Sequence, residues 1–234
     1  MELIRSGQSD FAYLTLSDYI QHKHGPTTAE ALDFYHQIDE QLGHLLEMDC
    51  TVGITADHGM NAKSEILYLE QVLEEQFGNE EGRIRVICPI TDPYVVHHGS
   101  LGSFVFVHIQ NEDGFFESKR DLEEYRDSVM EFIATLDGVT ETYCRDSATV
   151  VLQLPYDRIG DIAVISAKHV ALGKSPEHHC LDHVASGLRT HGGRSEEMVP
   201  FIVSNGLNRK YSERIKEREL RNFNIFDFVC NGTQ

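Results

Sequence analysis

The chain has 234 residues, 38 acidic and 20 basic side chains, a formal net charge of −18 and a hydrophobic fraction of 41%, which suits one globular fold with room for a small insertion. A charge this negative repels phosphate backbones and anionic lipid, so bulk nucleic-acid binding is disfavoured, and an anionic substrate needs locally concentrated positive charge to be held. No window approaches the ~20 apolar residues of a membrane helix, and the N-terminal region lacks the basic start, apolar run and cleavage site of a secretory leader.

In chain order, Phe11–Leu16 reads as a short β-branched and aromatic strand. Ala29–Met48 places Leu32, Tyr35, Ile38, Leu42, Leu45 and Leu46 at near-helical spacing. Thr51–Thr55 (TVGIT) reads as a buried strand, followed by a polar turn and a helix over Ser64–Phe77. This β-α-β-α order predicts an α/β fold, a doubly wound, mostly parallel sheet with helices on its faces. The middle of the chain changes character. Arg83–Ile90 and Gly102–Ile109 read as strands, Asp121–Leu136 as an amphipathic helix and Gly138–Cys144 as another strand. That run predicts a small α+β cap inserted at 86–149 in a core made of 1–85 and 150–234. Asp161–Ser166 (DIAVIS) and Val199–Val203 return to core strands, and Asn224–Val229 is expected to pack on the core. The cysteines Cys50, Cys88, Cys144, Cys180 and Cys230 are scattered and form no C-x-x-C pair, the usage of reduced thiols in a cytoplasmic protein.

Three segments concentrate metal-ligand side chains, each expected beyond a strand, where sites in α/β sheets lie. Asp18 and His22 are four apart, so on a helical turn they share a face and can grip one ion; the bland alternative is an exposed helix start with Asp18 near the N-cap. Asp57 and His58 follow TVGIT, with Gly59 to let the backbone turn. His191 stands in Thr190-His-Gly-Gly, with Glu196 and Glu197 downstream. His97 and His98, in DPYVVHHG, are candidate substrate contacts from the cap, against a structural turn. Glu177–His183 is a denser imidazole and thiol cluster, read as a solvated loop. Lys168, Lys174, Arg189 and Arg194 flank the last segments and are either charge-balancing groups or ordinary surface.

TADHGM, with DYIQHKHGP before it and THGGRSEEMVP after it, resembles the alkaline phosphatase superfamily. YLTLSDYIQHKHGP, DPYVVHHGSLGSF and RIGDIAVISAKHVALG are similar, within that superfamily, to the phosphonoacetate hydrolase family, and the likeness covers nearly the whole chain. The resemblance implies two zinc ions per complete site on a sheet of the alkaline-phosphatase type: Asp18, His22 and His191 on one, Asp57 and His58 on the other. It also implies cleavage of a small phosphonate to acetate and phosphate. Oxygen and imidazole ligands suit zinc independently of any family, and three protein ligands leave a position for water or substrate. The family's pattern places a further metal-binding Asp, a threonine nucleophile and substrate-holding lysines upstream of the segment matching Asp18. This sequence is therefore expected to represent the C-terminal portion, with the first strands of the sheet missing. An exposed apolar edge and homo-oligomers are expected to follow. Thr15, Thr51 and Thr55 do not match the nucleophile's setting. A related phosphodiesterase or nucleotide pyrophosphatase, and a catalytically inactive zinc-binding fragment, are the rival readings.

Overall fold

The computed structural model describes residues 2–48, 50–78, 82–89, 100–111, 114–179, 181, 187–217 and 220–233. The chain forms two compact units, Met1–Gly59 with Met198–Gln234, and Met60–Glu197. The first unit holds α1 (Glu2–Arg5), α2 (Tyr19–Lys23), α3 (Ala29–Leu46) and β1 (Gly53–Thr55). The second holds β2 (Asn61–Lys63), β3 (Glu65–Tyr68), α4 (Leu69–Phe77), β4 (Ile84–Ile87), β5 (Phe104–Ile109), α5 (Lys119–Ala134), β6 (Val139–Cys144), α6 (Arg145–Leu152), β7 (Ile162–Ser166), β8 (Val170–Gly173) and β9 (Leu188–Thr190). The chain then returns to the first unit with β10 (Phe201–Val203), α7 (Arg209–Glu217) and α8 (Asn224–Asn231). Among the described residues no helix is long and apolar enough to cross a membrane.

In the first unit β1 pairs antiparallel with β10, in the register Gly53↔Val203 to Thr55↔Phe201. Helix α8 lies on this ribbon because Gly53 has no side chain there: a Cβ would stand 2.5 Å from Val229 Cγ2 and 2.9 Å from Ile225 Cγ1. Phe228 is the centre of the small core, edge-on to Phe201 and Tyr211 with ring centroids 5.1 and 4.9 Å away. Helix α3 starts where Thr28 accepts a hydrogen bond from the Ala31 amide. Its apolar stripe is only partly covered: Ala31 and Leu45 are buried, whereas Leu32, Tyr35 and Leu46 are exposed.

The second unit is built on a four-stranded sheet ordered β4-β5-β7-β6. Val86, Val105, Val107, Ile162 and Val164 line one face and pack with Leu69 and Leu73 of α4 and Val129 and Ile133 of α5. The opposite face is smaller, with Ala163 packed beside Ala148 of α6 and Ile159. Strand β7 is buried at every position because both faces are covered, which is why IAVIS shows no polar alternation. Helix α5 opens on a capping box, Ser118 accepting from Asp121 N and Asp121 accepting from Ser118 N.

The α/β class holds, with mixed sheets. The mostly parallel pairing expected from the β-α-β-α order does not: among the described pairings only β3–β8 is parallel, and the other five are antiparallel. Connection order anticipates neighbours in space, not strand direction. Two further expectations are corrected. Phe11–Leu16 takes part in no strand pairing among the described residues, and Phe11, Tyr13, Leu14 and Leu16 are all exposed; without a partner strand its composition cannot make a ladder. The helix expected from Ser64 begins only at Leu69, because Glu65–Tyr68 is recruited by β8, a pairing that overrides local helix preference. The limits expected for the insertion fall inside elements, residue 86 within β4 and residue 149 within α6.

Candidate metal centre

Within the first unit, Asp18 occupies the N-cap position of α2 but makes no capping hydrogen bond with its side chain. Its Oδ2 lies 3.1 Å from Nε2 of His22, one helical turn on, and 3.9 Å from Nε2 of His58. The expected i,i+4 face is therefore real, and the bland capping role is not taken up. His58 is delivered by β1, whose ladder ends at Thr55↔Phe201 before the chain turns through Ala56 and Asp57. Asn222 Nδ2 donates to the Ala56 carbonyl at 3.3 Å and pins that turn. Asp57 Oδ1 accepts from the His58 amide at 3.1 Å, and its Oδ2 stands 3.5 Å from His58 Nε2.

The backbone fixes the chemistry of the His58 ring. Nδ1 lies 3.0 Å from the carbonyl of Gly59, which can only accept, so this hydrogen bond assigns a proton to Nδ1. In the neutral ring Nε2 then presents a lone pair toward carboxylate oxygens of Asp18 and Asp57. A ring nitrogen facing carboxylates is accommodated by a second ring proton or by a cation among them, and an Nδ1–H held by a backbone carbonyl is how ligating imidazoles are oriented. Donor atoms around a tetrahedral ion with ~2.0–2.2 Å bonds stand roughly 3.3–3.6 Å apart. Asp18–His22 at 3.1 Å and Asp57–His58 at 3.5 Å lie close to that spacing, and the 3.9 Å between Asp18 and His58 exceeds it. His22 is almost fully covered, His58 half-buried, and the two carboxylates face outward. The imidazoles are therefore held rigidly while one side stays open to water or an anionic ligand. This donor set fits zinc.

His191 belongs to the second unit, where it follows β9 directly. Strand β9 pairs antiparallel with β2 in the register Asn61↔Thr190 to Lys63↔Leu188, and Thr190 Oγ1 donates to the Leu101 carbonyl at 2.7 Å. Ser103 N donates to the His191 carbonyl at 2.8 Å. Gly192 then adopts φ +105°, a left-handed conformation that explains a glycine at this point of THGG. Behind the turn lies a charged pair that the sequence does not announce, Lys63 Nζ to Glu196 Oε1 at 3.1 Å, both side chains essentially out of solvent. Burial alone pushes the Glu196 carboxyl up, but donors from Ser195 and Asn61 and the charge of Lys63 outweigh it, and its pKa falls below the ordinary value. Burial lowers the Lys63 ammonium, with Glu196 acting in the opposite sense. Glu196 stands in the sequence as an acidic neighbour of His191; Lys63 carries no local signal, because only the β2–β9 pairing brings it there.

The remaining candidates divide cleanly. His97 and His98 lie outside the described residues, as do Cys180, Asp182 and His183 of the imidazole cluster. His179 of that cluster is buried rather than solvated: its Nε2 accepts from the Lys174 amide at 2.8 Å and its ring stacks on Tyr68, a structural role. His178 is exposed, 2.8 Å from Ser175 Oγ. The Arg194 guanidinium is engaged by Glu141, 3.1 Å away, which raises it further and removes it as charge compensation for a substrate. Cys50, Cys88, Cys144 and Cys230 are free thiols.

Comparison with known proteins supplies the context for this geometry. The type I phosphodiesterase/nucleotide pyrophosphatase family model matches residues 10–194. The phosphonoacetate hydrolase of Sinorhizobium meliloti 1021, solved in complex with phosphonoacetate, is 36% identical with a TM-score of 0.79, over 97% of this chain and 52% of that one. Its complex with phosphonoformate matches equally well. Murine ectonucleotide pyrophosphatase/phosphodiesterase 5 shares the fold at 17% identity and a TM-score of 0.58, over 89% of this chain and 52% of its own. The chain thus spans about half the length of the solved structures it matches. The chain belongs to the type I phosphodiesterase/nucleotide pyrophosphatase family, within the alkaline phosphatase superfamily, and it is similar to phosphonoacetate hydrolase along almost all of its length.

Proposed function

We propose that this chain carries the zinc-holding part of a hydrolase that cleaves the carbon–phosphorus bond of phosphonoacetate to give acetate and phosphate. The observation that carries the reading is the His58 ring, its Nδ1 proton held by Gly59 and its Nε2 aimed at Asp18 and Asp57. The 36% identity to an enzyme solved with phosphonoacetate supports the choice of substrate. In this reading Asp18, His22 and His191 hold one zinc, and Asp57 and His58 contribute to a second. The chain forms part of a mixed α/β sheet system of the alkaline-phosphatase type, and the 86–149 stretch serves as its cap.

When bound, zinc lowers the pKa of a hydroxyl or water nucleophile and neutralises phosphonate oxygens. The chain's own residues hold the His58 ring through its Nδ1 at the Gly59 carbonyl, so that Nε2 faces Asp18 and Asp57, and leave both carboxylates facing solvent. A carbon departing from phosphorus is a poor leaving group, so the charge must delocalise into the neighbouring carboxylate as an acetate enolate. Positive charge placed beside that carboxylate stabilises the transition state. His97 and His98 are proposed substrate contacts. The threonine nucleophile belongs to a part of the family pattern that this sequence does not span.

Zinc content per chain, with phosphate release from phosphonoacetate followed in the same sample, tests the proposal. About one zinc held tightly and a second only in excess metal is expected, with His191→Ala removing the tight ion. A chain that stays zinc-free in excess metal would overturn it. Turnover of a nucleotide phosphodiester in preference to phosphonoacetate would favour the second reading, for which the family model itself argues. Bound zinc without turnover would place the nucleophile outside this sequence.

A further inference from the structure

The Lys63–Glu196 pair asks for a reason beyond stability. Taking both charges out of water is unfavourable, and an apolar pair of similar volume is commonly as stable. What the pair secures is the path of the backbone around His191. Glu196 Oε2 accepts from the Gly193 amide at 2.9 Å. Its Oε1 accepts from Asn61 Nδ2 at 2.6 Å, Ser195 Oγ at 2.7 Å and Lys63 Nζ at 3.1 Å. Lys63 Nζ donates in turn to Ser103 Oγ at 2.5 Å and to the Lys168 carbonyl at 2.8 Å. Ser103 closes the loop by donating its amide to the His191 carbonyl at 2.8 Å. The carbonyl of His191 and the amide of Gly193 are thus tied, from opposite ends of the turn, to one buried network.

The fit of the turn is equally close. A Cβ on Gly193 would lie 3.0 Å from Ser103 Cβ and 3.1 Å from Glu196 Oε2, so the backbone is pressed against the two residues that hold it. Strands β2 and β9 supply Asn61 and Lys63 from one side and the turn from the other, in a fixed register. Every member of the network has partners, the condition under which a buried polar cluster rigidifies its surroundings.

We infer that Lys63 and Glu196 are positioning residues for His191: they set the turn that presents its imidazole as a metal ligand without touching the metal themselves. The inference rests on the proposed role of His191 as a zinc ligand. It predicts that disturbing the pair weakens zinc binding through His191 alone. Groups that orient a ligand typically change metal affinity by about 10- to 100-fold when mutated.

The test is the zinc dissociation constant of the 234-residue chain, by competition with a chromophoric chelator, for the wild type, Glu196→Gln, Asn61→Ala, His191→Ala and the double variant His191→Ala/Glu196→Gln. Thermal transitions of the same samples are followed in parallel. Glu196→Gln is expected to weaken the tight zinc by about 10- to 100-fold. Asn61→Ala, which removes one donor and leaves the ion pair, should give a smaller loss and remain folded should Glu196→Gln fail to fold. In the His191→Ala background Glu196→Gln should add no further loss. Wild-type zinc affinity in Glu196→Gln and Asn61→Ala, with only a lowered transition temperature, would overturn the inference and leave a purely structural pair. An equal loss with and without His191 would overturn it as well. Wild-type affinity in His191→Ala would instead remove His191 from the zinc ligands, a failure of the functional reading that stands apart from the other outcomes.

Discussion

At His58 a single backbone carbonyl decides which nitrogen of the ring is offered outward, and two carboxylates decide what the ring faces. Replacing it with alanine should lower the zinc bound at saturation while leaving the tight ion in place, as read by metal analysis across a zinc titration; unchanged saturation would exclude it as a ligand. Asp227 is the other residue whose surroundings set its chemistry. Arg214, Asn231 and Tyr211 donate to its carboxylate, which pulls its pKa from 3.8 to about 2. A carboxyl depressed on folding contributes stability that is present above its unfolded pKa and lost as pH falls through the folded one. The contribution from Asp227 should therefore disappear between about pH 4 and pH 2. Asp227→Asn should flatten that part of the acid-unfolding curve followed by circular dichroism, whereas an unchanged acid limb would assign the acid sensitivity to other carboxylates.

Element by element, periodic segments and apolar, β-branched runs were legible, and short segments with neither signal were not. Helix α5 shows its Val129, Ile133 stripe in the sequence, and the structure places it within two residues of the expected limits. Strands β2 and β9, three residues each, have no periodicity to read, and neither was anticipated; each exists because the other pairs with it. Helix α6 and strand β8 escaped for the same reason, being short and dependent on contacts far along the chain. Packing of α8 on β1 depends on one absent side chain. Gly53→Ala should destabilise the first unit by about 1–3 kcal/mol, because its Cβ overpacks against Val229 and Ile225. Urea unfolding monitored by circular dichroism checks this, and a wild-type midpoint would show that α8 shifts without penalty.

For the molecule as a whole, surface chemistry and net charge oppose one another. Phe11, Tyr13, Leu14, Leu16, Ile202 and Phe226, all in the first unit, are exposed, a concentration of apolar side chains that favours association. Against it stands a net charge of −18, whose repulsion is long-range at low ionic strength and screened within about 8 Å at physiological salt. Sedimentation velocity should therefore show association that rises with both protein concentration and sodium chloride, and Leu14→Ser/Leu16→Ser should reduce it. A monomer at every salt concentration would mean that this surface is not adhesive in water.

The sequence by itself determined the family pattern and the candidate ligand types with their order along the chain, because DYIQH, TADHG and THGG are short-range signals whose chemistry travels with the residues. It also determined the long helices and the buried character of DIAVIS, since periodicity and continuous apolarity are properties of a local window. Only the tertiary structure decided strand direction, the recruitment of Glu65–Tyr68 to β8 and, among the described residues, the lack of strand pairing of Phe11–Leu16. The same holds for the burial of Lys63 against Glu196 across 133 positions. In each of those cases the deciding energy comes from a partner distant in the chain: a hydrogen-bonding edge that is available or not, and a counter-charge that offsets the burial of the ammonium.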